Sequence, residues 1–341
     1  MTERVATTPG LFPLPDPAKR ELSDRKGHQK GDLISGDESD ELESVYERYR
    51  ADVIESQSAA GLDRIVEGQL RWDDMLAHPL AVHESVDTGG IVRYYDNNNF
   101  YRDPRVQGEL TFSGDVAAEL EAASELTGSE QPLQAVMPGP YSLFDLATDD
   151  HYGDEGRFLD AIAEFLAGEI EAFPAHETLF LLEPSLVESP PGDGLDERAS
   201  EAIDAVAAAS DANVVVHTYF GALEEKLYAH LMDADVEAIG FDIVSGDREE
   251  TLYNITEYGT KDEIALGLVD GQNTLIESPE TIDERVRWVD EQVSSQAFDR
   301  IYLTTNTEPF YLPVSKHRAK LEALAEAAAI GTDEETTGVK A

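Results

Sequence analysis

The sequence predicts an α/β fold, a single (β/α)8 TIM-type barrel of parallel strands, and three observations predict it. Eight short apolar segments recur along the 341 residues, separated mostly by stretches with helical periodicity. Each segment is four to six residues long and apolar nearly throughout, the pattern of parallel strands buried on both faces. A polar or conformationally special residue follows each one, where an α/β barrel builds its ligand face.

The first segment, Val5-Ala6-Thr7-Thr8, is the weakest. Leu62–Glu67, Leu133–Met137, Leu179–Glu183 and Val214–His217 follow, then Ala238–Ile243, Ile264–Val269 and Arg300–Leu303. Between the first two, Leu42, Val45, Tyr46, Tyr49, Val53 and Ile54 mark one face of a helix, with Gly61 beyond it as a C-terminal cap. Phe158, Leu159, Ile162, Phe165, Leu166, Ile170 and Phe173 repeat that pattern before the fourth strand. Residues 196–209, 222–233, 280–293 and 316–329 are rich in Ala, Glu and Leu, good helix formers. Strands alternating with helices give a parallel sheet with right-handed crossovers, and eight repeats suggest closure. An open doubly wound sheet is the alternative. The barrel is expected over 1–330. Residues 20–40 read as a polar loop on the active face. Residues 77–112 alternate around Asn97-Asn98-Asn99 and read as a β-hairpin inserted after strand 2. Residues 331–341 read as a flexible tail.

Charge sets the setting. There are 71 acidic and 25 basic residues, net −46, with the acidic ones spread over the whole chain. Like charges repel over about 10 Å at 0.1 M salt but only about 3 Å at 1 M, so the chain reads as a halophile's cytoplasmic protein. Such a surface suits no nucleic acid, whose phosphates need clustered Lys and Arg. No apolar stretch is long enough for a membrane span, and the first residues lack a signal-peptide pattern. Cysteine is absent, which excludes disulfides, thiolate nucleophiles and sulfur-ligated zinc.

The strand-end residues are Thr8-Pro9-Gly10, Glu67-Gly68-Gln69 with Arg71 and Asp73, Pro138–Ser142, Glu183-Pro184-Ser185, His217-Thr218-Tyr219, Asp242, Asp270–Asn273 and Thr305–Glu308. Eight such groups in register point to a ligand face. His78 and His83, four apart beside a proline, read as surface histidines. Trp72 and Trp288 read as packing residues, and phosphate-binding glycine loops are missing.

Six motifs in order resemble the cobalamin-independent methionine synthase family: Gly61-Leu62-Asp63, Gly68–Met75, Glu183-Pro184-Ser185-Leu186, His217–Gly221, Val269–Asn273 and Leu312-Pro313-Val314. The resemblance covers roughly residues 5–325. It implies a protein of two related barrels, the C-terminal one holding a zinc that turns homocysteine into a thiolate for attack on a methylated folate. The metal matters because it lowers the thiol pKa. That zinc site is a His-x-Cys pair, a Glu and a late Cys; the matching positions here are His217, Tyr219, Asp242 and Thr307. Phenol and hydroxyl are poor zinc ligands, so no metal is expected on this chain. Positions tied to homocysteine differ too, as Leu11, Gln69, Leu182 and Gly271.

Thr218-Tyr219-Phe220-Gly221, Val269–Asn273 and Tyr94–Tyr101 are similar instead to the family's N-terminal, non-zinc barrel. That half opens with Arg-Glu-Leu-Lys, which helps hold a folate's polyglutamate tail. Here it reads Arg20-Glu21-Leu22-Ser23, with Lys19, Arg25 and Lys26 nearby. The resemblance therefore implies one component of a methionine synthase, binding a methylated folate or pterin through Arg20, Glu21, Leu22, Ser23, Gln69, Arg71, Asp73 and Asn273. Its partner would be a separate chain bearing the zinc. The alternatives are a methyltransferase using Glu183, Asp242 and Asp270 with another donor such as a methyl-corrinoid, and a non-catalytic pterin-binding protein.

Overall fold

A computed structural model describes residues 2–23, 40–95, 99–128, 131–293 and 296–338. Eight parallel strands form one curled sheet: β1 (Glu3–Ala6), β2 (Ile65–Val66), β5 (Leu133–Pro138), β7 (Thr178–Leu182), β8 (Asn213–His217), β9 (Ala238–Asp242), β10 (Glu263–Val269) and β11 (Arg300–Thr305). Their order, β1-β11-β10-β9-β8-β7-β5-β2, follows the chain around the sheet. Every residue of β5, β7 and β9 is buried, as the continuous apolar runs require.

Helices separate consecutive strands. They are α1 (Asp16–Ser23), α2 (Asp40–Ala60), α3 (His78–Ala81), α4 (Asp115–Ser124), α5 (Pro140–Asp145), α6 (Glu155–Glu171), α7 (Ser185–Glu188), α8 (Asp196–Ala207), α9 (Glu225–Leu231), α10 (Arg248–Tyr258), α11 (Pro279–Gln292) and α12 (Val314–Gly338). The apolar faces read from sequence face inward: Leu42, Val45, Tyr46, Tyr49, Val53 and Ile54 of α2 are all buried, as are Phe158, Leu159, Ile162, Phe165, Leu166 and Ile170 of α6. Helix α12 continues past residue 330, where the sequence suggests a tail.

The ends of the sheet, β1 and β2, meet without a strand ladder. Asp63 N donates to Ala6 O at 3.0 Å, Ala6 N donates to Asp63 Oδ2 at 2.8 Å, and Phe12 N donates to Gly68 O at 2.9 Å. Inside this seam Gln134 reaches from β5 past the two-residue β2 to the end of β1, accepting from Thr7 Oγ1 at 2.6 Å and donating to Thr8 O at 2.8 Å.

A second sheet of three strands has the order β3-β4-β6. Strands β3 (Val86–Tyr94) and β4 (Asn99–Val106) are antiparallel, and β6 (Thr148–Asp149) pairs with β4. Residues Asn97 and Asn98 of the expected turn lie outside the described residues, as do Arg25, Lys26 and most of the 20–40 loop. The part of that loop described at its start is helical: residues 20–23 are the end of α1.

Candidate functional site at the strand ends

Glu183, just past β7, is a helix cap. Its carboxyl accepts from Tyr141 N at 2.9 Å, Ser142 N at 2.7 Å and Ser142 Oγ at 2.6 Å, satisfying the first turn of α5. Burial pushes it up to about 7. Gly139 makes this approach possible, because a Cβ there would overlap the Glu183 carboxyl. Ser185 follows, donating to Asp145 Oδ2 at 2.8 Å and lying 3.0 Å from the Tyr95 hydroxyl.

His217, Asp242 and Thr307 meet around Asn306. The Asn306 amide donates to both oxygens of Asp242 at 3.1 Å, and its carbonyl accepts from Gly271 N at 2.8 Å and Thr307 N at 2.9 Å. Asp242 also accepts from Val244 N at 2.9 Å, Ser245 N at 2.8 Å and the Ser245 hydroxyl. His217 Nε2 lies 3.1 Å from Asn306 O, and Nδ1 is buried without a partner against Gly240. Burial lowers His217 to about 4, so the ring is neutral near pH 7. Thr307 Oγ1 reaches no closer than 3.5 Å to its own neighbour, Glu308 O. One imidazole wedged against backbone, one fully engaged carboxylate, a phenol and a hydroxyl do not make a zinc site. Asp270 and Asn273 lie in the loop after β10 and brace it, accepting from Gln272 N and Leu275 N, each at 2.8 Å.

Aromatic side chains fill the space beside this network. Tyr94 and Tyr95 from the end of β3 have ring centroids 4.5 Å apart; Tyr95 lies 5.6 Å from Phe220, which lies 4.8 Å from Tyr219. Glu308 shares this pocket of phenols, and burial raises it to about 7. Three of its polar atoms, Tyr94 Oη, Tyr219 Oη and Glu308 Oε2, are buried without a hydrogen bond of good geometry. The backbone is strained in the same zone: Leu11, Gln69, Met75, Tyr95 and Phe220 all have φ between 50° and 75°. Gln69 uses that conformation to accept from Leu11 N at 2.9 Å.

Arg71 serves a different cluster, between α2 and α4. It donates to Asp115 at 3.2 Å and Glu119 at 2.7 Å, while Arg50 donates to Glu67 at 2.6 Å. Burial first, then the neighbouring Glu119, raise Glu67 to about 6. A cleft of about 410 Å³ opens here, floored by Arg50 and Arg71 and rimmed by Glu43 and Glu47. His78 is a correction to the sequence reading. Rather than lying on the surface it is buried, stacked on Trp72 at 5.4 Å and 3.3 Å from Asp115 Oδ2. His83 is buried too, with Nε2 2.8 Å from Thr111 O. Among the described residues His78, Asp115 and Glu119 are a set with metal-ligand spacing, but Arg71 already holds both carboxylates.

On α1, Arg20 is exposed and Leu22 buried; Glu21 accepts from Tyr49 at 2.7 Å and from Arg48 at 3.1 and 3.2 Å, which holds its carboxyl below the usual range. The Ser23 side chain lies outside the described residues. Asp73 is exposed. The predicted binding residues are thus scattered: Arg20 to Ser23 on α1, Gln69 at the seam between β1 and β2, Arg71 in the α2–α4 cleft, Asp73 at an exposed position and Asn273 in the loop after β10. Sequence reasoning placed Asn306 among the strand-end residues but missed its role as the hub, because its partners lie up to 89 positions away and leave no local signal.

A curled parallel α/β sheet with its polar residues gathered at the strand ends defines a barrel-like α/β protein. More narrowly, the chain belongs to the cobalamin-independent methionine synthase family: the domain described as "Cobalamin-independent synthase, N-terminal domain" matches residues 83–294. It is 25% identical over 342 residues to the 5-methyltetrahydropteroyltriglutamate–homocysteine methyltransferase of Salinibacter ruber, covering 87% of this chain and 42% of that one. The chain therefore spans less than half of that relative. It is 22% identical over 255 residues to a methionine synthase of Sulfolobus acidocaldarius, covering 73% and 71% of the two. A B12-independent methionine synthase structure from a Shewanella species, in complex with selenomethionine, superposes with TM-score 0.75 at 19% identity, covering 88% of this chain and 91% of that one. No helix among the described residues is long and apolar enough to cross a membrane.

Proposed function

We propose that this chain is the N-terminal-half-like component of a methionine synthase in a salt-rich cytoplasm. It holds a methylated folate or pterin on a closed barrel carrying the β3–β4 hairpin as an insertion. A separate zinc-bearing chain then transfers the methyl group to homocysteine. The observation that carries this reading is the state of the four positions matching the family's zinc ligands. His217 is wedged between backbone groups, Asp242 is consumed by Asn306 and Ser245, and Tyr219 and Thr307 offer neutral hydroxyls. The metal chemistry therefore has to come from elsewhere, and this chain's residues bind and orient. Arg20, Arg71, Asp73 and Asn273 are the proposed contacts to the donor or the partner.

The stand-alone methyltransferase reading fares worse on the same geometry. Glu183 and Asp242 have both oxygens engaged, and Asp270 braces its own loop.

The test is an affinity pull-down of the tagged chain from its native cytosol in molar KCl, read by mass spectrometry. Stoichiometric recovery of a cysteine-bearing barrel with a His-x-Cys pair supports the two-chain enzyme, and methyl transfer should then require both chains. Recovery of the bare chain from salt in which it stays folded counts against it.

A further inference from the structure

Helices α2 and α4 part on the outer layer of the fold, leaving between them the cleft of about 410 Å³. Glu43, Tyr46, Glu47 and Arg50, spaced three and four apart, present one face of α2 to it. On α4 the facing positions include Ala118 and Ala122, whose methyl groups leave the room that longer side chains would take. Arg50 is the unusual member. It is only 5% exposed, and its one hydrogen bond runs from Nε to Glu67 at 2.6 Å. The other four of a guanidinium's five N–H donors sit on its terminal nitrogens. Neither terminal nitrogen has a hydrogen-bond partner among the described residues, and neither is sealed in, so both face the cleft that Arg50 lines. A buried cation with unused donors turned to open space is built to receive an acceptor, and a carboxylate fits its fork.

The rim decides what carries that carboxylate. Glu47 lies one turn before Arg50, and Glu43 one turn earlier again; both are exposed and enter no ion pair or hydrogen bond among the described residues. A plain anion approaching Arg50 would meet these two carboxylates and the field of a chain of net charge −46. A plain cation would meet Arg50 and Arg71 on the floor. A molecule with both charges close together and no net charge is opposed by neither. Residues three apart on a helix have Cβ atoms roughly 5–6 Å apart, a separation that neighbouring carboxylate and ammonium groups can bridge. We infer that the cleft binds a free α-amino acid. Its carboxylate sits on the terminal nitrogens of Arg50, its ammonium donates to Glu47, and an apolar side chain lies against Tyr46, Ala118 and Ala122. The site is in the helical layer and not at the strand ends, and it does not rest on the two-chain reading: Arg71 borders it while holding Asp115 and Glu119.

The probe is L-leucine, an amino acid with no part in methyl transfer, followed by ligand-observed NMR titration on the isolated chain in KCl that keeps it folded. Leucine should saturate a single site with a dissociation constant on the order of millimolar, as few contacts in an open cleft allow. Isocaproate, which is leucine without its ammonium, and isoamylamine, which is leucine without its carboxylate, should each bind about tenfold more weakly or worse. Ala118→Leu fills the cleft without touching a charge and should abolish binding. Glu47→Gln should weaken leucine about fivefold. Both positions are exposed, so circular dichroism and melting should stay unchanged in these variants. Arg50→Lys keeps a charge against Glu67 but loses the planar fork, and should weaken leucine about tenfold. The absence of saturable leucine binding overturns the proposal. So does isocaproate or isoamylamine binding as tightly as leucine, which reduces the site to a single charge. Leucine binding unchanged in Ala118→Leu places the amino acid elsewhere, and equally overturns it.

Discussion

At the N-terminal ends of the strands, Arg300 holds Glu3 at 2.7 Å and Glu263 at 2.9 Å, and Tyr302 donates to Glu263 at 2.8 Å. At the C-terminal ends, Glu183 and Asp242 are held by backbone N–H groups and neutral side chains. There, too, lie the buried atoms of Tyr94, Tyr219, Glu308 and His217 that lack partners. The floor places charge against opposite charge; the mouth buries Glu183 and Glu308, each pushed up to about 7 by burial. Positive φ at non-glycine residues follows the same division, since all five such positions lie in segments that follow the C-terminal ends of strands. A floor arranged this way contributes stability, whereas a mouth arranged this way stores strain and unmet hydrogen bonds, the usual mark of a ligand face.

The sharpest way to break the contrast is at Glu183. Glu183→Ala strips the acceptor from two buried N–H groups and the Ser142 hydroxyl, and should cost about 3–5 kcal/mol, read as a fall in melting temperature.

Glu308 tests the mouth by pH. Its folded value of about 7 lies above the ordinary 4.5, so the folded state keeps a proton the unfolded chain has released. The stability this carries is whole below pH 4.5 and is lost as pH rises through 7. In Glu308→Gln the loss disappears, so the variant should gain up to about 3 kcal/mol on its parent between pH 4.5 and about 8. The difference between the two proteins is the quantity to follow, because His217 runs oppositely. Its stability is present above 6.5 and lost as pH falls through about 4.

On the floor, Arg300→Ala should cost about 1–2 kcal/mol by chemical denaturation, partial exposure of the cluster trimming what a buried pair gives. The smallest effect belongs to Arg48→Ala. It removes an exposed pair with Glu21, and in molar KCl the melting temperature should not move. A clear fall there would mean that surface pairs stabilise this protein as its floor does.

The floor and the mouth also differ in how far the sequence discloses them. All eight strands of the main sheet coincide with apolar runs visible in the sequence, because burial on both faces leaves a continuous signal. The faces of α2 and α6 show equally well by their 3.6-residue period. The strand-end polar groups can be found by position, but their roles cannot. Glu183 as a cap for α5 depends on Gly139, 44 positions earlier. His78 misleads because its neighbouring proline suggests a surface loop, while the stacking Trp72 and the acid from α4 that bury it come from separate segments. Arg71 stands out as a cation at a strand end, yet nothing local shows that Asp115 and Glu119 already claim it.

The joint between β1 and β2 carries a mechanical consequence. Seven ladders join neighbouring strands, and the two ends of the sheet are held by a clasp of hydrogen bonds through Asp63, Phe12 and Leu11, backed by Gln134. A curled sheet gives most readily where its two ends meet. Spreading at the clasp separates Thr8 from Glu67 while the β7, β8 and β9 ladders, on the far side of the sheet, stay fixed. Local opening concentrates where the fewest bonds have to part. Accommodation of a bulky guest would therefore begin beside Gln69, with the opposite wall acting as the anvil.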